Sequence, residues 1–340
     1  MSRSVNRRAF LASLGSAAAA RRGLHAQGRV DKRETMLSLL DPGATRDRVP
    51  AAFFIHFDER SRLGRAAVDK HVEYFRATGM DFVKIQYERT FPPRAEIKTA
   101  ADWKAMPKYG LDFYAPQLEA VEGLVKALKK EALVLVTLYS SFMCAGHTTS
   151  RETLFRHFEQ DPAAVALGMK TITESVLTFV RECVRLGVDG FYASTQGGET
   201  TGHAGFFKEC VMPADLTVMR EINATCRFNI LHVCDYEAPY ADLSPYVAYP
   251  GHIVNCNPKV TTGALAMKDV AKMFGRPVMG GLDRHGTIVT GSPDEIRRAV
   301  DDVIDAAPPR FVLGADCTLP GDIAWERIRT AIAAAHARRL

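Results

Sequence analysis

Three side chains that commonly bind metal ions lie near the ends of two apolar segments. His232 and Cys234 belong to the segment 228–235, and Cys317 follows the segment 311–315. Residues two positions apart on a strand point to the same side, so His232 and Cys234 would project together. One imidazole and two thiolates leave one position of a tetrahedral zinc ion free, as in catalytic zinc sites. The pattern therefore predicts a catalytic zinc centre at His232, Cys234 and Cys317.

The donor set also indicates what such a centre could do. Zinc held by two thiolates is rich in electrons, which suits binding and activating a further thiolate better than acidifying water. The alternative is a structural role, because buried cysteines are common and a single histidine often makes an internal hydrogen bond. A third ligand at the end of a distant strand favours the metal site.

Eight short apolar segments alternate with helical segments along the chain. Strands are predicted at 51–57, 82–87, 133–138, 188–193, 228–235, 252–256, 277–282 and 310–315. Helices are predicted at 65–78, 118–130, 151–160, 163–186, 213–225, 264–274, 292–306 and 322–338. This alternation predicts an α/β fold, a single-domain (β/α)8 TIM barrel over residues 48–340. A doubly wound open sheet usually has fewer strands, and no G-x-G-x-x-G follows the first strand.

Two of the connections are predicted to be functional loops because of their length or composition. Residues 88–115 form a long excursion, and loops of that length in a compact domain often belong to an active site. Residues 139–150 are predicted to form a polar loop that contains glycine.

Polar residues cluster at the carboxyl ends of the predicted strands, where TIM barrels carry their active sites. Glu88 is a candidate general acid/base or fourth metal ligand. His56 alternates with the apolar residues Ile55 and Phe57, so it is expected to point into the barrel mouth as a candidate catalytic or substrate-binding residue. Glu88 could instead be a surface charge beside Arg89, and His56 an internally bonded histidine. Candidate substrate-binding residues at the other strand ends are Tyr87, Tyr139, Gln196, Asn255 and Asp283.

Composition excludes some classes of partner. The chain has 340 residues, of which 47% are hydrophobic and 24% charged, and its formal net charge is +5. This excess of positive charge equals that of five arginines near the amino terminus, namely Arg3, Arg7, Arg8, Arg21 and Arg22. The remaining chain is near neutral, which gives no electrostatic basis for binding nucleic acid or membranes. No apolar run reaches the length of about 18 residues that spans a bilayer.

The amino terminus has the features of an export signal. Arg7 and Arg8 directly precede a short alanine-rich stretch, and two more arginines follow it. This resembles a twin-arginine signal, so residues 1–30 are predicted to direct export to the periplasm, with cleavage near Ala20 or Ala26. The alternative is a disordered basic tail. Seven cysteines without regular spacing do not resemble a disulfide framework.

Several motifs carry a family resemblance across the chain after the leader. The segment Gly79-Met80-Asp81-Phe82-Val83-Lys84-Ile85-Gln86-Tyr87-Glu88 and the turn Gly280-Gly281-Leu282-Asp283 resemble segments of the uroporphyrinogen decarboxylase superfamily. This superfamily also contains cobalamin-dependent methyltransferases, and the resemblance implies a (β/α)8 barrel. Glu88 stands where the decarboxylases carry a catalytic aspartate. Their M-R-Q-A-G-R motif, which grips substrate carboxylates, is missing after residues 50–57.

The later part of the chain resembles the methyltransferase branch more closely. His232-Val233-Cys234 and Cys317-Thr318-Leu319-Pro320 stand where those enzymes carry H-x-C and C-G-x-x-P, which form a zinc site. The decarboxylases show L-G-H-G where this chain has Leu313-Gly314-Ala315-Asp316. The resemblance implies that zinc binds a thiol substrate and presents it to a methyl group on a corrinoid, often carried by a separate corrinoid protein.

Two other functions stay open from the sequence. One is decarboxylation of uroporphyrinogen III or a related tetrapyrrole, which the missing arginine motif disfavours. The other is a non-catalytic exported protein that captures a corrinoid, a tetrapyrrole or a metal. Export also complicates corrinoid chemistry, which normally needs a reducing compartment, so the barrel could serve a different zinc-dependent reaction.

Overall fold

A parallel sheet of seven strands forms the centre of the protein. The structure is a computed structural model that describes residues 30–197 and 203–339. The strands are β1 Phe82–Ile85, β2 Leu133–Leu138, β3 Gly190–Thr195, β4 Ile230–Val233, β5 Ile253–Cys256, β6 Val278–Leu282 and β7 Phe311–Ala315. Each strand pairs in parallel with the next one along the chain, and the sheet curls into a half-barrel. The predicted α/β fold is therefore confirmed, with a sheet consistent with a TIM-barrel-like architecture.

The strands are apolar because both faces of the sheet are covered. All six residues of β2 and all four residues of β4 are buried. Parallel strands with helices outside and side chains inside carry near-continuous runs of Val, Ile and Leu for this reason. Seven predicted strands lie within about two residues of the observed ones, because such runs are visible in the sequence.

The first predicted strand, at 51–57, is wrong as a regular strand. Among the described residues its strand pairing is limited to two isolated bridges, Ala51 to Leu313 and Ile55 to Leu319. The N–H of Ala51 donates to the Asp81 side chain at 2.8 Å instead of to a strand neighbour. The backbone N–H of Asp81 donates in turn to the Ala51 carbonyl at 3.0 Å. The segment thus lies between β7 and the start of β1 without forming a continuous ladder.

Helices connect the strands. The longer ones are α1 Lys32–Leu37, α2 Gly64–Thr78, α3 Leu111–Leu128, α4 Ser141–Thr148, α5 Arg151–Gln160, α6 Pro162–Leu186, α7 Met212–Thr225, α8 Met267–Phe274, α9 Pro293–Ala306 and α10 Trp325–Ala337. Short helical segments are Ser38–Leu40, Glu59–Ser61, Ala100–Ala105, Ala204–Phe206, Phe207–Val211, Ser244–Tyr246 and Thr287–Thr290. A small antiparallel hairpin pairs the two-residue strands Lys259–Val260 and Gly263–Ala264.

Two predicted loops contain helix. Residues 139–150, predicted as a polar loop, hold α4, whose N-cap Ser140 accepts a hydrogen bond from the N–H of Met143 at 3.2 Å. Phe142 and Cys144 on this helix are fully buried, so tertiary packing outweighs the weak local helix signal. The helix predicted at 118–130 begins earlier, at Leu111, and shortens the long excursion after residue 88.

One helix among the described residues is long and apolar enough to cross a membrane by length and composition. It is α6, with 25 residues, although no such run was expected from the sequence. In its most apolar window 61% of the residues are buried inside the protein, and core helices of soluble proteins meet the same criterion. The predicted twin-arginine motif lies outside the described residues.

Candidate metal centre

Two strand ends on different parts of the sheet carry the predicted metal ligands. His232 lies in β4, Cys234 directly follows it, and Cys317 lies two residues beyond the end of β7. Strands β5 and β6 stand between β4 and β7 in the sheet, so the ligands are not on neighbouring strands. They meet across the mouth of the curved sheet, at the edge where parallel strands have their carboxyl ends.

The structure brings the three side chains together. One ligand atom from each of His232, Cys234 and Cys317 lies within 4.8 Å of the other two. The His232 Nε2 atom is 3.5 Å from the Cys317 Sγ atom. Tetrahedral zinc with bonds of about 2.3 Å to sulfur and about 2.0–2.1 Å to nitrogen places such atoms about 3.6 Å apart. The residues therefore fit a zinc ion in both donor type and spacing.

The two sulfurs share one negative charge. A hydrogen bond from the Cys234 thiol lowers the pKa of Cys317, and the nearby His232 and Arg284 lower that pKa further, against the effect of burial. The same hydrogen bond, together with burial, raises the pKa of Cys234. The pair thus already favours one thiolate, the form in which cysteine binds metal ions.

Neighbouring groups orient the ligands. The Gln196 Nε2 group donates to the Cys234 sulfur at 3.7 Å, and Arg151 holds the other end of that amide through Oε1. The Tyr240 hydroxyl donates to the Cys234 carbonyl at 3.0 Å. The buried Nδ1 atom of His232 has no hydrogen-bond partner in the described part of the chain, which leaves Nε2 as the nitrogen directed at the sulfurs.

Arg284 links the two strand ends that carry the cysteines. Its Nη1 group donates to Asp235 at 2.7 Å and to Asp316 at 2.9 Å, and its backbone N–H also donates to Asp316, at 2.7 Å. Asp235 follows Cys234, and Asp316 precedes Cys317. All three side chains are at least 85% buried. The sequence showed an aspartate beside each cysteine, but their shared arginine was not predicted.

A cavity of about 580 Å³ opens beside the candidate metal ligands. Its size suits a small-molecule substrate. Three of the predicted catalytic or substrate-binding residues line it, namely His56, Tyr139 and Gln196. Two further histidines, His147 and His285, for which the sequence predicts no role, line it as well.

Three other predicted substrate-binding residues do not line this cavity. Tyr87 is buried behind Tyr139, with the two ring centres 5.0 Å apart. Asn255 is fully buried and accepts a hydrogen bond from the Tyr192 hydroxyl. Asp283 is partly exposed, and its Oδ2 accepts a hydrogen bond from Lys259 at 2.6 Å. None of the three side chains therefore forms part of the cavity wall.

The predicted catalytic residues His56 and Glu88 contact each other. The His56 Nδ1 atom lies 2.7 Å from the Glu88 Oε1 atom, and the guanidinium of Arg62 lies 3.8 Å from Oε2. The Glu88 side chain is 9% exposed and does not line the cavity, whereas His56 does. Glu88 therefore contacts the Nδ1 side of His56, and it lies outside the group of candidate metal ligands among the described residues.

Lys84 is a cavity residue that was not predicted. It lies in the otherwise apolar strand β1 and is 4% exposed. Its Nζ group donates to Gln86 Oε1 at 2.8 Å, and the rings of Phe54 and Tyr192 lie 4.6 and 4.5 Å away. Burial lowers the pKa of Lys84 to about 7, although the negative charges of Cys317 and Glu88 oppose this effect. In the sequence, the only indication that Lys84 lies at the cavity is that it is a charged residue within an apolar strand.

Solved structures with a similar fold include a methyltransferase and a methionine synthase. A methyltransferase from Methanosarcina mazei has a TM-score of 0.68 and 13% identity, with 90% of this chain and 98% of that chain covered. A B12-independent methionine synthase from Shewanella sp. W3-18-1, in complex with selenomethionine, has a TM-score of 0.55 and 9% identity. The match covers 84% of this chain and 95% of the synthase chain. At such identities the likeness shows the fold alone.

Comparison by sequence identifies the family. No curated protein matches the chain. The family model described as uroporphyrinogen decarboxylase (URO-D) matches residues 74–338, which is more than three quarters of the sequence. This range contains all three candidate metal ligands together with Lys84 and Glu88. The chain therefore belongs to the uroporphyrinogen decarboxylase family.

Proposed function

We propose that this protein is a zinc-dependent, methyltransferase-like enzyme of the family, which binds a small thiol beside the metal and methylates its sulfur. The observation that carries the proposal is the convergence of His232, Cys234 and Cys317 within 4.8 Å at a cavity. Three protein ligands leave one tetrahedral position for a substrate. The two similar folds named as a methyltransferase and a methionine synthase support this choice.

His232 Nε2 and the sulfurs of Cys234 and Cys317 would hold the ion. A bound zinc ion would supply a Lewis acid that lowers the pKa of a substrate thiol and keeps its sulfur nucleophilic. Gln196 donates to the Cys234 sulfur and limits its motion. The Arg284 pairs with Asp235 and Asp316 keep the two strand ends at a constant separation.

His56 is the residue that we assign to accept the proton of the entering thiol. It lines the cavity, and the contact with Glu88 fixes its Nδ1 atom. This leaves Nε2 as the atom that takes up the proton, and Glu88 stabilises the resulting imidazolium ion. Tyr139, also on the cavity wall, supplies an aromatic surface for the carbon chain of the substrate.

The methyl donor and the location remain predictions from the sequence. A corrinoid on a separate protein would have to approach the cavity from its mouth, because a volume of about 580 Å³ suits a small substrate. Export by the twin-arginine pathway to the periplasm is proposed from the leader alone.

Metal analysis of the purified protein tests the proposal first. We expect about one zinc ion per chain by mass spectrometry, and loss of that zinc in Cys317→Ala. Cys226→Ala is the matched control, because Cys226 lies at the end of α7 and belongs to no group of candidate ligands. A wild-type protein without zinc, and with no difference between the two variants, would remove the basis of the proposal.

Cobalt substitution tests the second part, thiol binding. Adding 2-mercaptoethanol to the cobalt protein should strengthen its sulfur-to-metal absorption band, and methylcobalamin should then yield the methylated thiol. A metal-loaded protein that shows neither effect would retain the centre but not the methyltransferase-like activity. Turnover of uroporphyrinogen that persists in Cys317→Ala would instead favour the decarboxylase function.

A further inference from the structure

We propose that Lys84 forms a reversible imine with a small aldehyde or ketone that enters the cavity. This would be a second covalent chemistry in the same cavity, and it goes beyond the proposed methyl transfer. The proposal rests on the position of the amine, on the lack of a carboxylate within ion-pair distance among the described residues and on the cavity space in front of it.

The surroundings of Lys84 differ from those of other lysines in the described part of the chain. Lys70, Lys126 and Lys259 each lie within 3.0 Å of a carboxylate oxygen and are partly or largely exposed. Lys84 is buried, and no carboxylate of the described residues lies within ion-pair distance. Its one hydrogen-bond acceptor there is the Gln86 amide oxygen.

The hydrogen bonds of Gln86 show which form of the amine the site suits. The Nε2 group of Gln86 donates to the Ile55 carbonyl at 3.0 Å, so its oxygen must face Lys84. An ammonium group has three N–H donors, and one hydrogen-bond acceptor leaves two of them to the faces of the Phe54 and Tyr192 rings, which are weaker partners than a carboxylate. A neutral amine needs fewer acceptors and keeps a lone pair that can attack a carbon atom. Burial favours the same form, which agrees with the lowered pKa of Lys84.

Aromatic rings hold the amine at a defined place. The Nζ atom lies 4.6 Å from the centre of the Phe54 ring and 4.5 Å from that of the Tyr192 ring. The Tyr192 hydroxyl is bound to the buried Asn255, which fixes this ring. Lys84 and Tyr192 both line the cavity of about 580 Å³. A carbonyl compound of a few carbon atoms therefore has room to reach the amine.

The reaction is balanced by the loss of water. The amine nitrogen attacks the carbonyl carbon, and a C–N bond forms while the carbonyl π electrons move to oxygen. Proton transfer from nitrogen to that oxygen gives a carbinolamine. The nitrogen lone pair then forms the C=N bond as the hydroxyl leaves, and the remaining N–H proton is transferred to it, so that one water molecule is released. No oxidant or reductant takes part. Desolvated lysines in enzyme cavities act as such nucleophiles because part of the amine is uncharged near neutral pH.

Reductive trapping tests the inference in the full-length folded protein. The protein is incubated near pH 7 with pyruvate or glycolaldehyde and sodium cyanoborohydride, and the modified lysines are mapped by peptide mass spectrometry. We expect Lys84 to be modified at least about tenfold faster than the exposed Lys126, because a larger fraction of its amine is neutral. Lys84→Arg should abolish this fast modification and keep a positive charge in the cavity, and Lys126→Met should not affect it.

The wild-type map alone can overturn the inference. Modification spread over surface lysines, with Lys84 no faster than Lys126, would contradict it even if the Lys84 variants failed to fold. Fast modification that persists in Lys84→Arg would contradict it as well. The test needs no metal, so protein treated with a chelator should give the same map. A protein without zinc can therefore still show fast modification of Lys84. In the same way, a protein with zinc can show none.

Discussion

The Nε2 atom of His232 lies 3.5 Å from the Sγ atom of Cys317, although 85 positions separate the two residues in the sequence. His232 lies in β4, the central strand of the sheet, and Cys317 follows β7, an edge strand. Arg284 joins the aspartates beside both cysteines. The candidate metal centre therefore depends on the curvature of the sheet, and we expect metal binding to stabilise that curvature in turn.

Zinc should raise the stability of the folded protein. A ligand that binds only the folded state at a free concentration of about 100 times its dissociation constant adds about 2.7 kcal/mol. We expect a chelator to lower the thermal midpoint of wild-type protein and not that of Cys317→Ala, measured by differential scanning calorimetry. Equal midpoints with and without the chelator in wild-type protein would contradict a zinc ion bound at this place.

Gln196 should tune the affinity for the metal. Its amide donates to the Cys234 sulfur, and groups of this kind typically change metal affinity by about 10–100-fold. We expect Gln196→Ala to weaken zinc binding by about tenfold in competition with a chromogenic chelator. Gln160→Ala, at the end of α5, is the control and should match the wild type. An unchanged affinity in Gln196→Ala would show that this hydrogen bond has no effect on the metal.

Glu88 and His56 should act as one unit in the methyl-transfer assay. Proton transfer by a positioned side chain contributes about 10²–10⁴-fold to rates. We expect His56→Ala to lower kcat by about 100-fold and Glu88→Gln by about tenfold. The double variant should be no slower than His56→Ala, because Glu88 works through the histidine. Effects that multiply in the double variant would mean that Glu88 acts independently.

Asp81 should be important for stability, because it joins the irregular first segment to the rest of the barrel. Its side chain is fully buried and binds Arg48, the N–H of Ala51 and His336. Removing one partner from a buried ion pair costs about 3–5 kcal/mol. We expect Asp81→Asn to lower the free energy of unfolding in urea by about that amount.

The exposed pair of Asp69 with Arg65 gives the matched control for this variant. Exposed pairs contribute at most about 1 kcal/mol, so Asp69→Asn should be close to wild type. Equal losses of stability in the two variants would argue against a special role for the buried carboxylate of Asp81.

Lys84 should make stability depend on pH. The pKa of Lys84 is lowered to about 7 in the folded protein, against 10.5 for an ordinary lysine. Below about pH 7 both states are protonated, so the folded state bears the full cost of a buried charge. From there towards pH 10 the unfolded chain binds more protons, and the free energy of unfolding contributed by this group rises with pH.

Replacing Lys84 by Met should remove that rise. We expect Lys84→Met to be more stable than wild type near pH 6, by at most about 4–5 kcal/mol, and the difference to shrink as the pH increases to about 9. Urea unfolding at several pH values measures this difference in the free energy of unfolding. The difference between Lys126→Met and wild type should not change with pH in this way. A difference between Lys84→Met and wild type that is constant with pH would mean that Lys84 has an ordinary pKa in the folded state.

Much of the fold and the metal triad could be predicted from the sequence, because the signals are local. Runs of buried apolar residues mark seven strands, and the two-residue spacing of His232 and Cys234 places both on one side of β4. The expectation that Cys317 joins them needed one further step, namely that carboxyl ends of parallel strands meet at one edge.

Only the tertiary structure decided which strand-end residues face the cavity. Tyr139 and Gln196 line it, whereas Tyr87 and Asn255 are buried in other contacts, because side-chain direction at a strand end depends on neighbours distant in sequence. The surroundings of Arg284 and Lys84 also depend on residues that are distant in sequence. Arg284 becomes a link between two aspartates, and Lys84 a lysine without a carboxylate partner among the described residues, only when the curved sheet brings separate strands together.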